Sequence, residues 1–296
     1  MAEGGEDRSL LKCRSGRPWS LEWGYRVWIL APALFFLLFF VLPIAKVITT
    51  SFLGDGISLA AYTALFSDIT YVTVLLYTAR VALVVTLLTL LLSYPVAWVI
   101  TGLRGSLLRL CLGLILVPFW TSAVIRSYAW LVIFQRRGAL NDMLLWLGVI
   151  DVPLRPLSNG VGMNVGMVHI MLPFMILPLL STMWRIDQTL LRAAAVLGAN
   201  PFRQFLHVYL PLSMPGVSAG SLLVFITSLG FFITPALLGG GQHMMAAVLI
   251  QQQASRLLNW PLASGLGTVL LVSTCLLYIL YEKASHRLGV AWSTAG

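Results

Sequence analysis

Five stretches of this chain carry no aspartate, glutamate, lysine or arginine over lengths that a water-soluble fold rarely uses: residues 27–45, 81–103, 156–184, 204–255 and 257–281. A helix needs roughly 20 residues to cross the hydrocarbon layer of a bilayer. Hydrocarbon offers no partner to a peptide N–H or C=O, so a segment inside it must satisfy its own backbone, as a helix does. Ten-residue segments of alternating polarity, the mark of a membrane β-barrel, do not occur. Only 10% of the residues are charged, against about 25% in soluble domains. The sequence therefore predicts an all-α polytopic membrane bundle of six spans, near 27–50, 73–100, 108–128, 160–184, 216–237 and 261–281. Pro118 falls inside the third span, and Pro173 and Pro178 inside the fourth.

Lysine and arginine collect on the cytoplasmic side of membrane proteins. With the N-terminus inside, the inner segments hold twelve: Arg8, Lys12, Arg14, Arg17, Arg26, Arg104, Arg109, Arg185, Arg192, Arg203, Lys283 and Arg287. The outer side holds five: Arg126, Arg136, Arg137, Arg155 and Arg256. Lys46 and Arg80 lie in or near spans. This bias predicts cytoplasmic termini and a cytoplasmic 185–215 loop. The division that follows is a basic cytoplasmic segment 1–26, a permeation domain 27–284 and a cytoplasmic tail 285–296. It also accounts for the net charge of +9 without nucleic acid. The first 26 residues are polar, and the first apolar run is too long for a signal sequence, so no cleaved signal peptide is expected. Cys13, Cys111 and Cys275 lack metal or redox spacing and are expected to be unpaired thiols. No inverted repeat of the kind built into secondary transporters is evident.

The 185–215 loop is unusual for so apolar a chain. Asp187 can cap a helix that runs through Ala193, Ala194 and Ala195, residues of high helix propensity and little bulk. Gly198 can take the left-handed conformation that ends such a helix. Asn200-Pro201 then has the cap and first-turn proline of a second helix, with Leu210-Pro211 and Pro215 expected to stop it before the next span. Two readings remain open on spacing alone: a docking element for a soluble partner, or an amphipathic surface helix that only anchors the bundle.

Here the chain resembles a known family. Arg192-Ala193-Ala194, three residues, Gly198, nine residues, Val208, one residue, then Leu210-Pro211 matches in every interval the Glu-Ala-Ala…Gly…Ile-x-Leu-Pro signature of permease subunits of binding-protein-dependent ABC importers. Val117-Pro118-Phe119-Trp120-Thr121, Ile125-Arg126, residues 144–151, Leu172-Pro173-Phe174-Met175 and Asn259-Trp260-Pro261 look like the spermidine/putrescine permeases of the first-subunit type. The resemblance covers roughly residues 25–285. It implies a type I importer permease fold and a place in the bacterial inner membrane. It further implies a second, paralogous permease, two ATPase subunits gripping the loop, and an external solute-binding protein. ATP and Mg would be bound by the partner subunits, leaving this chain without a cofactor. The chain departs from the family at two points. Arg192 stands where the signature has glutamate, and Thr234-Pro235-Ala236-Leu237-Leu238-Gly239-Gly240 lacks an acidic residue near the outer end of the fifth span.

The chain carries no chemistry of its own that is visible in sequence. A phosphate-binding loop needs Gly-x-x-x-x-Gly-Lys-Ser/Thr, and none of Lys12, Lys46 and Lys283 follows a glycine. His169, His207, His243 and His286 lie in separate segments without metal-ligand spacing. Charges at membrane depth usually face a path or a water-filled cavity. Arg80 and Arg126 are therefore candidates for the translocation path or its gate, with Phe119, Trp120 and Tyr128 offering aromatic faces to an ammonium group; Arg126 can also snorkel to the outer interface. Segment 135–158, with Asp142, Asp151 and Trp146, reads as an interfacial helix. Gly160, Gly162, Gly166, Gly216, Gly220 and Gly230 are expected to serve close helix packing.

Overall fold

A computed structural model describes residues 29–54, 56–57, 59–156, 160–241 and 243–293; the basic segment 1–26 lies outside them. The chain divides into two compact units at residue 50. In the first, the described residues belong to helix α1 (Ile29–Phe52), an apolar candidate span. Its phenylalanines pair one turn apart, Phe35 with Phe39 and Phe36 with Phe40, ring centroids 4.8 Å apart.

The second unit holds the remaining elements. A two-residue hairpin, β1 (Leu53–Gly54) with β2 (Gly56–Ile57), leads to the short helix α2 (Ala60–Ser67) and to α3 (Ile69–Gly102), which Asp68 caps through the Thr70 N–H at 2.8 Å. The next helices are α4 (Gly105–Trp120), α5 (Ala123–Ile133), α6 (Ala139–Trp146) and α7 (Val161–Met183). After them come α8 (Gln188–Val196), α9 (Pro201–Leu229), α10 (Ile233–Leu238), α11 (Ala246–Ser255) and α12 (Trp260–Ser293). Among the described residues α1, α3, α7, α9 and α12 are each long and apolar enough to cross a membrane, and α4 with α5 makes a sixth span if the bent pair is counted as one.

Three spans differ from the sequence expectation. The third is broken rather than continuous over 108–128: α4 and α5 meet at 98° across Thr121-Ser122. Ser122 explains the restart, because its hydroxyl accepts the Val124 N–H and caps α5. The fifth is longer and begins earlier than 216, since α9 runs without interruption from Pro201 to Leu229. Leu210-Pro211 and Pro215 do not stop it. Pro211 would crowd the carbonyl four residues back, but the preceding turn, Phe205–Tyr209, is a π-helix in which the Leu210 N–H reaches the Phe205 carbonyl. That wider turn relieves the ring, as π-bulges commonly do. The sixth span, expected to end near 281, belongs to a helix that continues to Ser293.

The core is the packing of α3, α7 and α9. α7 lies at its centre and buries Met163, Met167, Met171, Met175, Leu179 and Met183, an unbroken row at four-residue spacing with at most 1% exposure. Such a row forms one ridge of the helix surface, and methionine fills irregular gaps without strain. Gly216 and Gly220 of α9 admit α7 closely. A Cβ at Gly216 would stand 2.8 Å from the Thr182 hydroxyl and 3.0 Å from the Pro178 carbonyl; one at Gly220 would meet the Met175 sulfur at 2.8 Å. Gly166 faces Thr234 in the same way, whereas a Cβ at Gly230 would meet no atom within 4 Å. Tyr94 of α3 and Ser213 of α9 share a hydrogen bond of 2.9 Å across the inner half. Thr78 of α3 accepts the Ala246 N–H at 2.8 Å and so caps α11.

The two glycine contacts should separate on mutation. Gly216→Ala presses on a β-branched side chain and a backbone carbonyl, neither free to move, and is expected to cost about 1–3 kcal/mol by overpacking. Gly220→Ala presses hardest on a flexible thioether and meets the Met175 carbonyl only at 3.3 Å, so it should cost less. Thermal unfolding of the detergent-solubilised protein, comparing the two variants, measures the difference.

Candidate functional site

The segment between α7 and the membrane portion of α9 is built as the sequence predicted. Asp187 accepts the Thr189 N–H at 2.8 Å and starts α8. That hydrogen bond, with the Thr189 side chain and the nearby Arg192 charge, holds the exposed carboxyl below the usual aspartate range. At the other end the Ala199 N–H reaches the Ala194 carbonyl and the Gly198 N–H the Ala195 carbonyl, both at 3.0 Å. Those two bonds form a Schellman motif, which needs a left-handed residue at its turn; Gly198 supplies it at φ +84°. The chain then reverses into α9, whose first turn is capped by the Asn200 side chain on the Arg203 N–H at 2.8 Å, while the Gln204 amide holds the Ala199 carbonyl at 2.7 Å. The turn, a knuckle between α8 and α9, is thus closed by hydrogen bonds between residues within a few positions of one another.

Its tip is apolar and bare. Val196 and Leu197 are each 87% exposed and Phe202 69%, with Arg192 and Ala193 exposed and Ala194 half-buried beside them. Val208, Leu210 and Pro211 lie further on, half-buried in α9 where it turns into the core. Tyr209 between them is buried.

The path candidates fall in two places. Phe119 and Trp120 end α4, and Arg126 and Tyr128 lie on α5 just beyond the 98° bend. Trp120 is 90% exposed, and Phe119 rests against Phe174 of α7 with ring centroids 5.2 Å apart. Arg126 is half-buried, and its Nε is buried without a hydrogen-bond partner among the described residues. Arg80 sits apart from these on α3, one turn beyond Tyr77. The Tyr77 hydroxyl shares a 3.0 Å hydrogen bond with His243 Nδ1.

Sequence reasoning missed the polar links that join α5 to α7 and α10 and that tie α6 to the segment after it. Trp130 of α5 donates to His169 Nδ1 on α7 at 3.2 Å, so His169 is fixed by an indole. Ser127 and Thr234, both fully buried, share a 2.8 Å bond between α5 and α10. Asn141, also fully buried, donates to the carbonyls of Gln135 and Leu154 and accepts the Leu154 N–H at 2.8 Å. It ties the 147–156 segment to α6, on which Trp146 is 84% exposed, as an interfacial helix requires. A lone asparagine beside an apolar run was the only available signal.

Comparison with known proteins turns this geometry into a family assignment. Residues 82–289 match the family described as binding-protein-dependent transport system inner membrane component. The chain belongs to that family. It is 37% identical over 259 residues to the spermidine/putrescine transport system permease protein PotB of Escherichia coli K12, covering 85% of this chain and 94% of the relative. It is also 37% identical to the PotB of Haemophilus influenzae, covering 85% and 91%. The inner membrane ABC transporter permease protein YdcU of Escherichia coli K12 is 31% identical over 79% of this chain and 76% of its own length. Among solved structures, a bacterial alginate ABC transporter in complex with alginate pentasaccharide-bound periplasmic protein contains a chain that superposes with a TM-score of 0.74, covering 91% of this chain and 96% of the other. At 17% identity that likeness carries the fold alone. The chain is therefore a permease subunit of an ABC importer with the fold that its sequence suggested.

Asn141 offers a direct test of the outer half. Asn141→Leu keeps the volume but removes the partner of the Leu154 N–H and carbonyl, at about 1–3 kcal/mol for a buried unpartnered group. Limited proteolysis should then cut within 147–156 at protease levels that leave the parent chain intact.

Proposed function

We propose that this importer permease carries a polyamine, putrescine or spermidine, and works as half of a translocation path. The other half is a second, paralogous permease; two ATPase subunits grip the two knuckles from the cytoplasm, and an external binding protein delivers the solute. The termini lie in the cytoplasm, as the distribution of arginine and lysine requires. The chain makes and breaks no bond itself, and ATP with Mg is held by the ATPases.

The observation that carries this reading is the Schellman-closed turn at Gly198 with its exposed apolar tip. A turn satisfied by its own hydrogen bonds transmits force rather than absorbing it, and α9 continues from it into the core without a loop. Motion of an ATPase pair against Val196 and Leu197 would therefore tilt α9, and with it α7 and α3, between two arrangements of the path. The polyamine assignment is supported by the PotB relatives. No aspartate or glutamate lies inside the apolar core of any span, so ammonium recognition falls to the binding protein and to aromatic faces such as Phe119, Trp120 and Tyr128.

Gly198→Val tests the lever. A Cβ there meets nothing within 4 Å in this chain, so the strain within the chain is that of the left-handed backbone, which costs a non-glycine residue about 1–2 kcal/mol and a β-branched one more. Uptake and solute-stimulated ATP hydrolysis in the assembled transporter should fall about tenfold or more, while Gly198→Asn, which tolerates that conformation, should keep most of both. Unimpaired coupling in the valine variant would refute the lever. Separately, the cognate binding protein should bind putrescine or spermidine in preference to amino acids.

A further inference from the structure

We infer that the inner end of α3 carries a binding site for one anionic phospholipid, its phosphodiester head held between the span and the knuckle and one acyl chain laid in the adjoining cleft. The inference rests on the cytoplasmic placement of α8 given above.

Two cavities adjoin at this end of the helix. The first, about 710 Å³, is walled by Thr101, Arg104, Gln188, Arg192, Gln204 and Tyr209, with Trp98 and Val99 at its edge. It is assembled from three separate parts of the chain: the last turn of α3 with the Arg104 cap of α4, one face of α8, and the π-turn that opens α9. Its two formal charges are both guanidinium, and no acidic side chain lines it. The nearest carboxylate on α8, Asp187, is already engaged with the Thr189 N–H. Thr101 lines the same chamber, its hydroxyl given to the Trp98 carbonyl at 2.6 Å. Arg104 and Arg192 bring guanidinium N–H donors to it, and a phosphate oxygen is a strong acceptor for such donors.

The second cavity, about 450 Å³, runs along the neighbouring face of α3 against α4, between Pro95, Val96 and Leu103 on one side and Cys111, Leu114 and Ile115 on the other. It exposes no polar surface, and Val99 borders both cavities. A cationic, donor-rich chamber continuous with a wholly apolar cleft fits a molecule with an anionic head and a hydrocarbon tail. The level in the membrane agrees. Trp98 is 52% exposed in the last turn of the span, where indoles mark the headgroup boundary, and basic pockets between spans on that side suit anionic headgroups. A free phosphate ester satisfies the chamber but leaves the cleft unused.

The test uses the full chain purified with its copurifying subunits in mild detergent, titrated with phosphatidylglycerol or phosphatidylcholine and read by native mass spectrometry. One phosphatidylglycerol should be retained with about tenfold preference over phosphatidylcholine. Arg104→Gln with Arg192→Gln should abolish the preference, Arg104→Lys with Arg192→Lys should keep part of it, and Arg109→Gln, an equal loss of charge on α4 outside the chamber, should leave it unchanged. Leu114→Trp fills the tail cleft from an exposed position and should cut phosphatidylglycerol retention severalfold with both guanidinium groups intact. Equal retention of the two lipids by the parent chain, an unaltered preference in the double glutamine variant, or displacement by glycerol phosphate at the same concentration as phosphatidylglycerol would each overturn the site. Copurification of the ATPase, measured in the same samples, reports on the coupling reading independently of the lipid result.

Discussion

Hydrocarbon supplies no hydrogen bonds, so the backbone that leads from the knuckle into the membrane has to satisfy itself at every step. Between Pro201 and Leu229 it does so through three prolines, Pro201, Pro211 and Pro215. Pro201 occupies a first-turn position where its missing N–H is not needed, and Pro211 follows a π-turn that opens the helix just ahead of the ring. The result is a single helix, α9, with one end in the knuckle and the other in the core. Had the chain broken into a loop at Leu210-Pro211, the knuckle would be tethered to the bundle rather than fused with it. Continuity of α9 is what makes a contact at Val196 mechanically relevant at Gly220.

The core receives that motion as a packed unit. Hydrocarbon gives no hydrophobic drive between helices, so association depends on close fit and on hydrogen bonds. Gly216 and Gly220 bring α9 onto α7, the methionine row fills the space behind, and the Tyr94–Ser213 bond ties α3 to α9. The outer half is held differently, by isolated polar links: Trp130 to His169, Ser127 to Thr234, and Asn141 to the 147–156 segment.

What could be read from sequence follows from how local each determinant is. The caps at Asp187 and Asn200, the turn at Gly198 and the proline after Asn200 involve residues within a few positions of one another, and each was legible. The class of fold was legible because span length and charge exclusion are properties of single segments. The 98° break between α4 and α5 was not, since Thr121-Ser122 is an unremarkable pair inside an apolar run. The passage of α9 through Pro211 was misjudged because a π-turn has no sequence mark that distinguishes it from a helix end. Asn141, His169 and Thr234 were missed or left undecided because their partners lie on other elements. Of the path candidates, Phe119, Trp120, Arg126 and Tyr128 come together around the bend, while Arg80 does not join them.

Arg192 links the two sides of the account. It stands at the position where the family signature is acidic, and it faces the chamber beneath the knuckle as well as the cytoplasm. On the proposed reading, the knuckle and the helix that leaves it pass work from ATPase subunits to a membrane path. The measurement that bears most directly on this is solute uptake into proteoliposomes holding the purified chain, with and without its copurified subunits, after all ion gradients have been collapsed. Uptake is expected only with the full set of subunits and only with ATP on the side of the knuckle. Accumulation of solute by the chain alone, driven by an imposed ion gradient and indifferent to ATP, would contradict the account.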